Sequence, residues 1–361
     1  MSLRGNKGEW SEIYTLFKLL SKGTLEEGDE DLDKLLDGIY PIVKIVREES
    51  SGVFEYAFNS DRNLVIISNN NIELLRLPIS NFARQASSLL SHIRSNNGTF
   101  AIQEIENFMT SIHCTSIKAN SGAKTDIVIQ IHDVNAKQSP VLGFSIKSQL
   151  GSPSTLLNAG KTTNFKYKLP EVVSDELIGE INNISTRSKV KDRLTKVVAE
   201  IGKPVFVNLN SRMFKNNLVV IDSALPEILS NIVLKFYMSD LKTLDSLVDW
   251  IEEDNPLNFD VSDGHEFYRV KVKRFLTDVA LGMMPSKCWS GQHDATGGYL
   301  IVKNDGDIVC YHLYNRNVFE SYLLKNTKLE TASTSRYEFG QIYKSSNDLQ
   351  IDLNLQIRFC Q

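Results

Sequence analysis

The chain has 361 residues, 42% of them hydrophobic and 23% charged, with a formal net charge of −4. That length supports a large core shared among two or three domains, and the balance is that of an ordinary globular protein. The net charge excludes a histone-like polybasic binder, but it leaves room for an enzyme with one basic cleft.

Residues 9–21 (EWSEIYTLFKLLS) place Trp10, Ile13, Leu16, Phe17 and Leu20 on one helical face. After a polar, acidic loop at 23–33, the segments YPIVKIVRE, VFEYAF, NLVIIS and IELLRL read as short strands bounded by Ser, Asn, Gly or Asp. Residues 80–95 predict a helix that Asn96-Asn97-Gly98 breaks. Thr99 is positioned to cap a second helix carrying Ile102, Ile105, Phe108, Met109 and Ile112. Strands follow at 124–132 and 141–149, separated by a polar turn from His132 to Pro140. Ser152-Pro153 reads as the start of a short helix that Gly160 ends.

Further along, 187–201 predicts a basic helix with Arg187, Lys189, Lys191, Arg193 and Lys196. PVFVNLN and NNLVVIDS read as buried strands, and 224–252 and 266–281 as helices. GGYLIVK and DIVCYHLY flank Asn304-Asp305-Gly306, a strong hairpin signal, and LQIDLNLQIRF alternates at the end. The mixed order gives an α/β (α+β) class. Three consecutive parts are expected: a helix and small β module at 1–78, a core at 79–255 and a β-rich region at 256–361.

No run of eighteen apolar residues exists, so no membrane span is expected. MSLRGNKGEWSE lacks the apolar core of a secretory signal. Cys114, Cys288, Cys310 and Cys360 are scattered without a C-x-x-C pair, which argues against a zinc ribbon and for reduced thiols in a cytoplasmic protein. His113, His132 and His312 sit among apolar residues and read as core histidines. His293-Asp294 reads as a turn, and Trp289 and Tyr299 as core.

The strand K-T-D-I-V-I-Q-I turns Ile127, Ile129 and Ile131 to one face and Lys124, Asp126, Val128 and Gln130 to the other. In G-F-S-I-K-S-Q, Phe144 and Ile146 point to the core, while Ser145, Lys147 and Gln149 point away. Neighbouring strands of this kind set Asp126 beside Lys147, a pair suited to phosphodiester hydrolysis assisted by Mg²⁺. By spacing alone the catalytic pair competes with the commoner reading of a strand-start aspartate and a solvated lysine.

The surrounding phrases carry more. KTDIVIQIHD…LGFSIKSQLGSPSTLLNAGKTTNF, GNKGEWSEIY and CWSGQHDATGGYLIVKNDGDIVCYHLYNRNVFESYLLKNTKLETASTSR resemble the HpaII family of type II restriction endonucleases over nearly the whole chain. The resemblance implies a PD-(D/E)XK nuclease core, a mixed sheet flanked by helices. It implies Asp126 as the metal-binding aspartate and Lys147 as the motif lysine. Ser145 stands where an acid is usual, and Thr125 where proline is. A glutamate from the helix before the first core strand is the expected substitute, which points to Glu104 or Glu106. Both flank the apolar stripe, so helical geometry does not choose between them. Gln149 is a weaker candidate ligand.

The resemblance also marks Thr155, Asn158, Lys161, Thr163 and Asn164 for phosphate contact. Asn315, Arg316 and Arg336 have side chains suited to base edges. The basic run 187–193 is either a DNA-facing surface or a solvated face. The implied substrate is double-stranded DNA, the implied cofactor Mg²⁺ and the implied site CCGG. A palindrome of that kind suits a homodimer. The rival expectations are a catalytically silent DNA binder on the same scaffold and a repair or structure-specific nuclease.

Overall fold

The computed structural model describes residues 2–118, 125–133, 137–345 and 348–360. Lys124 and turn residues 134–136 lie outside them. The chain forms two compact units, Met1–Ser154 with His293–Phe319, and Thr155–Gln292 with Glu320–Cys360.

Helix α1 (Lys7–Lys22) starts at Asn6, whose side chain accepts from the Glu9 amide while Glu9 accepts from the Asn6 amide. It stops at Gly23, which takes φ 74°. The expected stripe of Trp10, Ile13, Leu16, Phe17 and Leu20 is buried. Five strands follow: β1 (Thr24–Gly28), β2 (Lys34–Glu49), β3 (Gly52–Asn59), β4 (Leu64–Asn69) and β5 (Ile72–Pro78). Then come α2 (Ile79–Ser95), α3 (Gln103–Ser111), β6 (Ile127–Ile131) and β7 (Val141–Ser148). Thr99 does not cap α3. The cap position is Ile102, which supplies no side-chain hydrogen bond.

The next stretch holds β8 (Thr155–Leu157), β9 (Asn164–Lys168), α4 (Asp175–Asn182), α5 (Lys189–Glu200) and β10 (Val205–Leu209). It continues through α6 (Arg212–Ile221), α7 (Leu225–Met238), α8 (Leu244–Asp254) and α9 (Phe267–Leu281). Two expectations fail here. The short helix after Pro153 is strand β8, whose Leu156 and Leu157 are buried. The strand expected at NNLVVIDS is helix α6, capped by Ser211 with Phe214, Asn217 and Leu218 inward. A short apolar run fits either period, and the inward spacing of three and four decides for the helix.

Last come β11 (Gly298–Val302) and β12 (Ile308–His312), the expected hairpin, then α10 (Arg316–Lys325), β13 (Thr327–Leu329) and α11 (Thr334–Tyr337). Strands β14 (Ile342–Ser345), β15 (Asp348–Asn354) and β16 (Ile357–Phe359) finish the chain.

In the first unit the strands run in the order β1-β12-β11-β7-β6-β2, and β1 pairs again with β2, so six strands close into a barrel. A flanked mixed sheet was expected; the closure comes from β2. Its first half pairs with β1 and its second half with β6, the switch falling at Pro41 and Ile42. Gly38 lets β1 approach, since a Cβ there would meet that of Glu27 at 2.5 Å. Strands β3, β4 and β5 extend the second half of β2 as an antiparallel meander. The core joins α1 to Phe82, Leu89 and Ile93 of α2 and to Ile45, Tyr56, Ile129, Phe144 and Leu300 of the strands.

The second unit has two antiparallel sheets, β10-β9-β15-β14 and β13-β16-β8. Its most buried helix is α7, with Leu225, Ile228, Leu229, Ile232 and Val233 enclosed. Cuts at residues 78 and 255 therefore run through one barrel, because β2 pairs with β6 and β7 with β11. No single helix among the described residues is long and apolar enough to cross a membrane.

Candidate active site

Within the first unit, α1 and the β6–β7 hairpin line a cleft of about 840 Å³ that contains Glu12, Asp126 and Lys147. Asp126 lies just before β6, with its amide donating to the Phe144 carbonyl at 2.9 Å. Its Oδ2 accepts from the Ser145 hydroxyl at 3.0 Å and the Ile146 amide at 2.7 Å. Two donors on one oxygen fix the carboxylate, and Oδ1 stays free of hydrogen bonds among the described residues.

Ser145 is 3% exposed. Its Oγ also accepts from the Lys147 ammonium at 3.1 Å, so one hydroxyl links the aspartate to the lysine. Tyr299, opposite Ser145 in the β7–β11 pairing, holds its ring 5.2 Å from the Lys147 nitrogen. Burial lowers the Lys147 pKa, against the opposing charges of Asp126 and Glu12. Thr125 packs on Gly143, where a Cβ would meet the Thr125 methyl at 2.7 Å.

Glu12 is the residue that the sequence reading overlooked. Its neighbour Ser11 is buried, and the Ser11 and Ser148 hydroxyls hydrogen-bond at 2.8 Å, which seats α1 on β7. The Glu12 carboxylate makes no hydrogen bond or ion pair among the described residues. Burial, then the charge of Asp126, pushes its pKa up to about 8, against Lys118 and Arg47. At neutral pH burial therefore favours the protonated form of Glu12.

The wall beside Glu12 is tied down from below. Arg47, 5% exposed, donates to Glu49 at 2.5 Å and to the Ser116 carbonyl. Glu49 accepts from the Thr115 and Ser116 hydroxyls at 2.8 and 2.9 Å. From the same loop, Lys118 pairs with Glu9 at 2.8 Å, and this pairing lowers the Glu9 pKa.

The other expected site residues lie apart from the cleft. Glu104 is exposed near the Ser88 hydroxyl, and Glu106 is buried, accepting from Ser2 at 2.7 Å; neither lines the cleft. Gln149 turns to the β11–β12 hairpin and accepts from the Asn304 amide at 3.3 Å. Asn315 hydrogen-bonds the buried Glu27, and Arg316 is exposed.

In the second unit, Thr163 is fully buried and bonds Gly160, while Asn164, 1% exposed, bonds Tyr337 and Asn354. Both are internal braces and are closed to DNA. Thr155 lies in β8, Asn158 is exposed, and Lys161 pairs with Glu338. Arg336 is exposed over the Tyr337 ring. His312 is buried, but His113 and His132 are partly exposed, so only one of the three expected core histidines is enclosed.

Among the described residues no three His, Cys, Asp or Glu side chains converge as a metal cage. Mg²⁺ does not require one, because it takes one or two carboxylates and fills the rest of its shell with water and phosphate oxygens. Asp126, with a free oxygen, and Glu12 offer two carboxyl groups of the kind such a shell takes.

A family model described as HpaII restriction endonuclease matches residues 6–359. The chain is 46% identical over 357 residues to the type II restriction enzyme HpaII of Haemophilus parainfluenzae, covering 98% of each protein. No solved structure matches.

Proposed function

We infer that this chain, which belongs to the HpaII restriction endonuclease family and is a type II restriction endonuclease, cuts double-stranded DNA at CCGG with Mg²⁺ bound by Asp126 and Glu12. The observation that carries the reading is the single cleft that Asp126, Glu12 and Lys147 line together. In PD-(D/E)XK terms, Asp126 and Lys147 take the motif's aspartate and lysine. Glu12, from α1, takes over from the acid that Ser145 lacks.

When bound, the ion supplies Lewis acidity toward the scissile phosphate and acidifies water for attack. Glu12, its proton released to water, would be one of the two residues to hold the ion. Asp126 presents Oδ1, held in place by Ser145 and Ile146. The Lys147 ammonium, steadied by Ser145 and Tyr299, neutralises charge building on the phosphoryl oxygens and orients the attacking water. The CCGG assignment rests on the family resemblance, and such a palindrome is read by a two-fold homodimer.

The test is cleavage of a sequenced duplex with one CCGG, with end mapping. Discrete cuts are expected there with Mg²⁺, and none in EDTA or with Asp126→Ala, Lys147→Ala or Glu12→Gln. Retardation without cleavage would mark a silent binder, and cuts that survive mutation of CCGG a structure-specific nuclease.

A further inference from the structure

In the second unit, a cavity of about 610 Å³ is lined by the start of α5, the end of α7 and residues 331–335. Four cations, Arg187, Lys189, Lys191 and Lys242, line it against one carboxylate, Asp240. That is a local excess of three positive charges in a chain of net charge −4. The remainder of the lining is largely neutral and hydroxyl-rich, with Ser188, Ser239, Thr331, Ser333, Thr334 and Ser335. Such a surface donates hydrogen bonds to anionic oxygen without adding negative charge.

The structure sorts the basic run of α5 into two groups. Arg193, 5% exposed, donates to the carbonyls of Asn182, Ile184 and Gly340, and Lys196 pairs with Glu180. Both serve the fold. Lys191 pairs with Asp240 at 2.7 Å, across the cavity's own lining. Arg187, Lys189 and Lys242 make no side-chain hydrogen bond or ion pair among the described residues. Structural duty accounts for half of the lysines and arginines named here and leaves these three unspent at one cavity.

We propose that this cavity seats the sugar-phosphate backbone of the DNA duplex, with Arg187, Lys189 and Lys242 contacting its phosphates independently of base sequence. The proposal rests on the reading of the chain as a duplex-cleaving enzyme. It assigns a positioning surface outside the cleft of the first unit. Phosphate contacts of this kind set register and orientation and leave base choice to other residues.

The test is binding of the full chain to two duplexes, one with CCGG and one without, in EDTA over a series of salt concentrations. The double variant Lys189→Ala/Lys242→Ala is compared with the parent and with Lys196→Ala, which lies outside the cavity. Affinity for both duplexes is expected to fall by similar factors in the double variant. The slope of log affinity against log salt should shrink by roughly 0.9 for each lost contact, about 1.8 in all. Lys196→Ala should keep the parent slope. A parental slope in a double variant of unchanged circular dichroism overturns the proposal, as does a loss confined to the CCGG duplex. A parent that binds neither duplex overturns the functional reading along with it.

Discussion

Ser11 of α1 and Ser148 of β7 join hydroxyl to hydroxyl at 2.8 Å, one residue from Glu12 on the helix and one from Lys147 on the strand. The bond sets how far α1 slides along β7, and so where the Glu12 carboxylate stands. Ser11→Ala removes this part-buried hydrogen bond, worth about 1 kcal/mol, together with the contact of the same hydroxyl to the Lys7 carbonyl. A fall in Tm of only about 1–2 °C is expected for a chain of this size. Cleavage should fall further than stability, by roughly ten- to a hundred-fold, because misplacing a reacting group is costly. Thermal unfolding and single-turnover cleavage check both. Parental cleavage would show that Glu12 needs no such anchor.

The choice of acid is decided by three amide variants. Glu12→Gln is expected to lower cleavage by at least about a hundred-fold, as for loss of a group stabilising the transition state. Glu104→Gln and Glu106→Gln should stay within a few-fold of the parent, since neither lines the cleft. Cleavage rates at fixed Mg²⁺ give the ranking, and a reversed order would return the role to α3.

Glu12 also predicts a pH dependence. Its pKa rises from 4.5 to about 8 on folding, with burial the largest cause. Between those values the folded chain holds a proton that the unfolded chain has lost, so stability falls as pH rises through that window. In EDTA, Glu12→Gln should match the parent near pH 4 and exceed it above pH 8. Mg²⁺ should raise the parent's Tm at high pH and the variant's little. Tm measured against pH provides the readout, and parallel curves would refute the assignment.

His312 acts in the opposite direction. Burial lowers its pKa from 6.5 to about 4, and its Nδ1 accepts from the Tyr314 amide at 3.0 Å. As pH falls from 6.5 toward 4, the unfolded chain takes up a proton that the folded chain refuses, so stability drops. His312→Asn keeps a capping oxygen and should flatten this acid limb. Urea midpoints at pH 4.5 and 7 measure the change.

Two glycines near the site should fail differently. Gly298 takes φ 106°, and a Cβ there would overlap the Tyr311 carbonyl oxygen, so Gly298→Ala should not fold. A Cβ at Gly143 meets only the Thr125 side chain, at 2.7 Å. Gly143→Ala should fold with a loss of about 1–3 kcal/mol and cut slowly, as Thr125 presses on its neighbour Asp126. Soluble yield and cleavage rate separate the two outcomes.

The sequence made α1, strands β2 to β5, the β6–β7 hairpin and the β11–β12 turn legible, because each carries a clean period or a turn signal, whereas β1 fell within the stretch read as a polar, acidic loop. It also set Asp126, Ser145 and Lys147 together. Glu12 was hidden because nothing in a helical wheel reveals what a helix packs against. Between Glu12 and Asp126 stand five strands and two helices, and chain order pointed to α3, the nearer helix. The visible hint was Ser11 and Thr15, polar residues one turn apart on a face otherwise apolar, both buried. The error at Thr155–Leu157 came from reading Ser152-Pro153 as a helix start, and the error at Arg212–Ile221 from a short apolar run, for which the period is ambiguous. Thr163 and Asn164 looked like phosphate donors by residue type, yet their polar atoms are consumed internally.

The barrel closes with residues made late. Strand β11 lies beside β7, and β12 returns to β1, so the segment that completes the barrel follows the whole first visit to the second unit. A growing chain on the ribosome thus carries Asp126 and Lys147 long before Tyr299 exists to pack beneath the lysine. Under the reading proposed above, making Asp126 and Lys147 does not by itself assemble the site, since the ring that steadies the lysine arrives only after the first passage through the second unit.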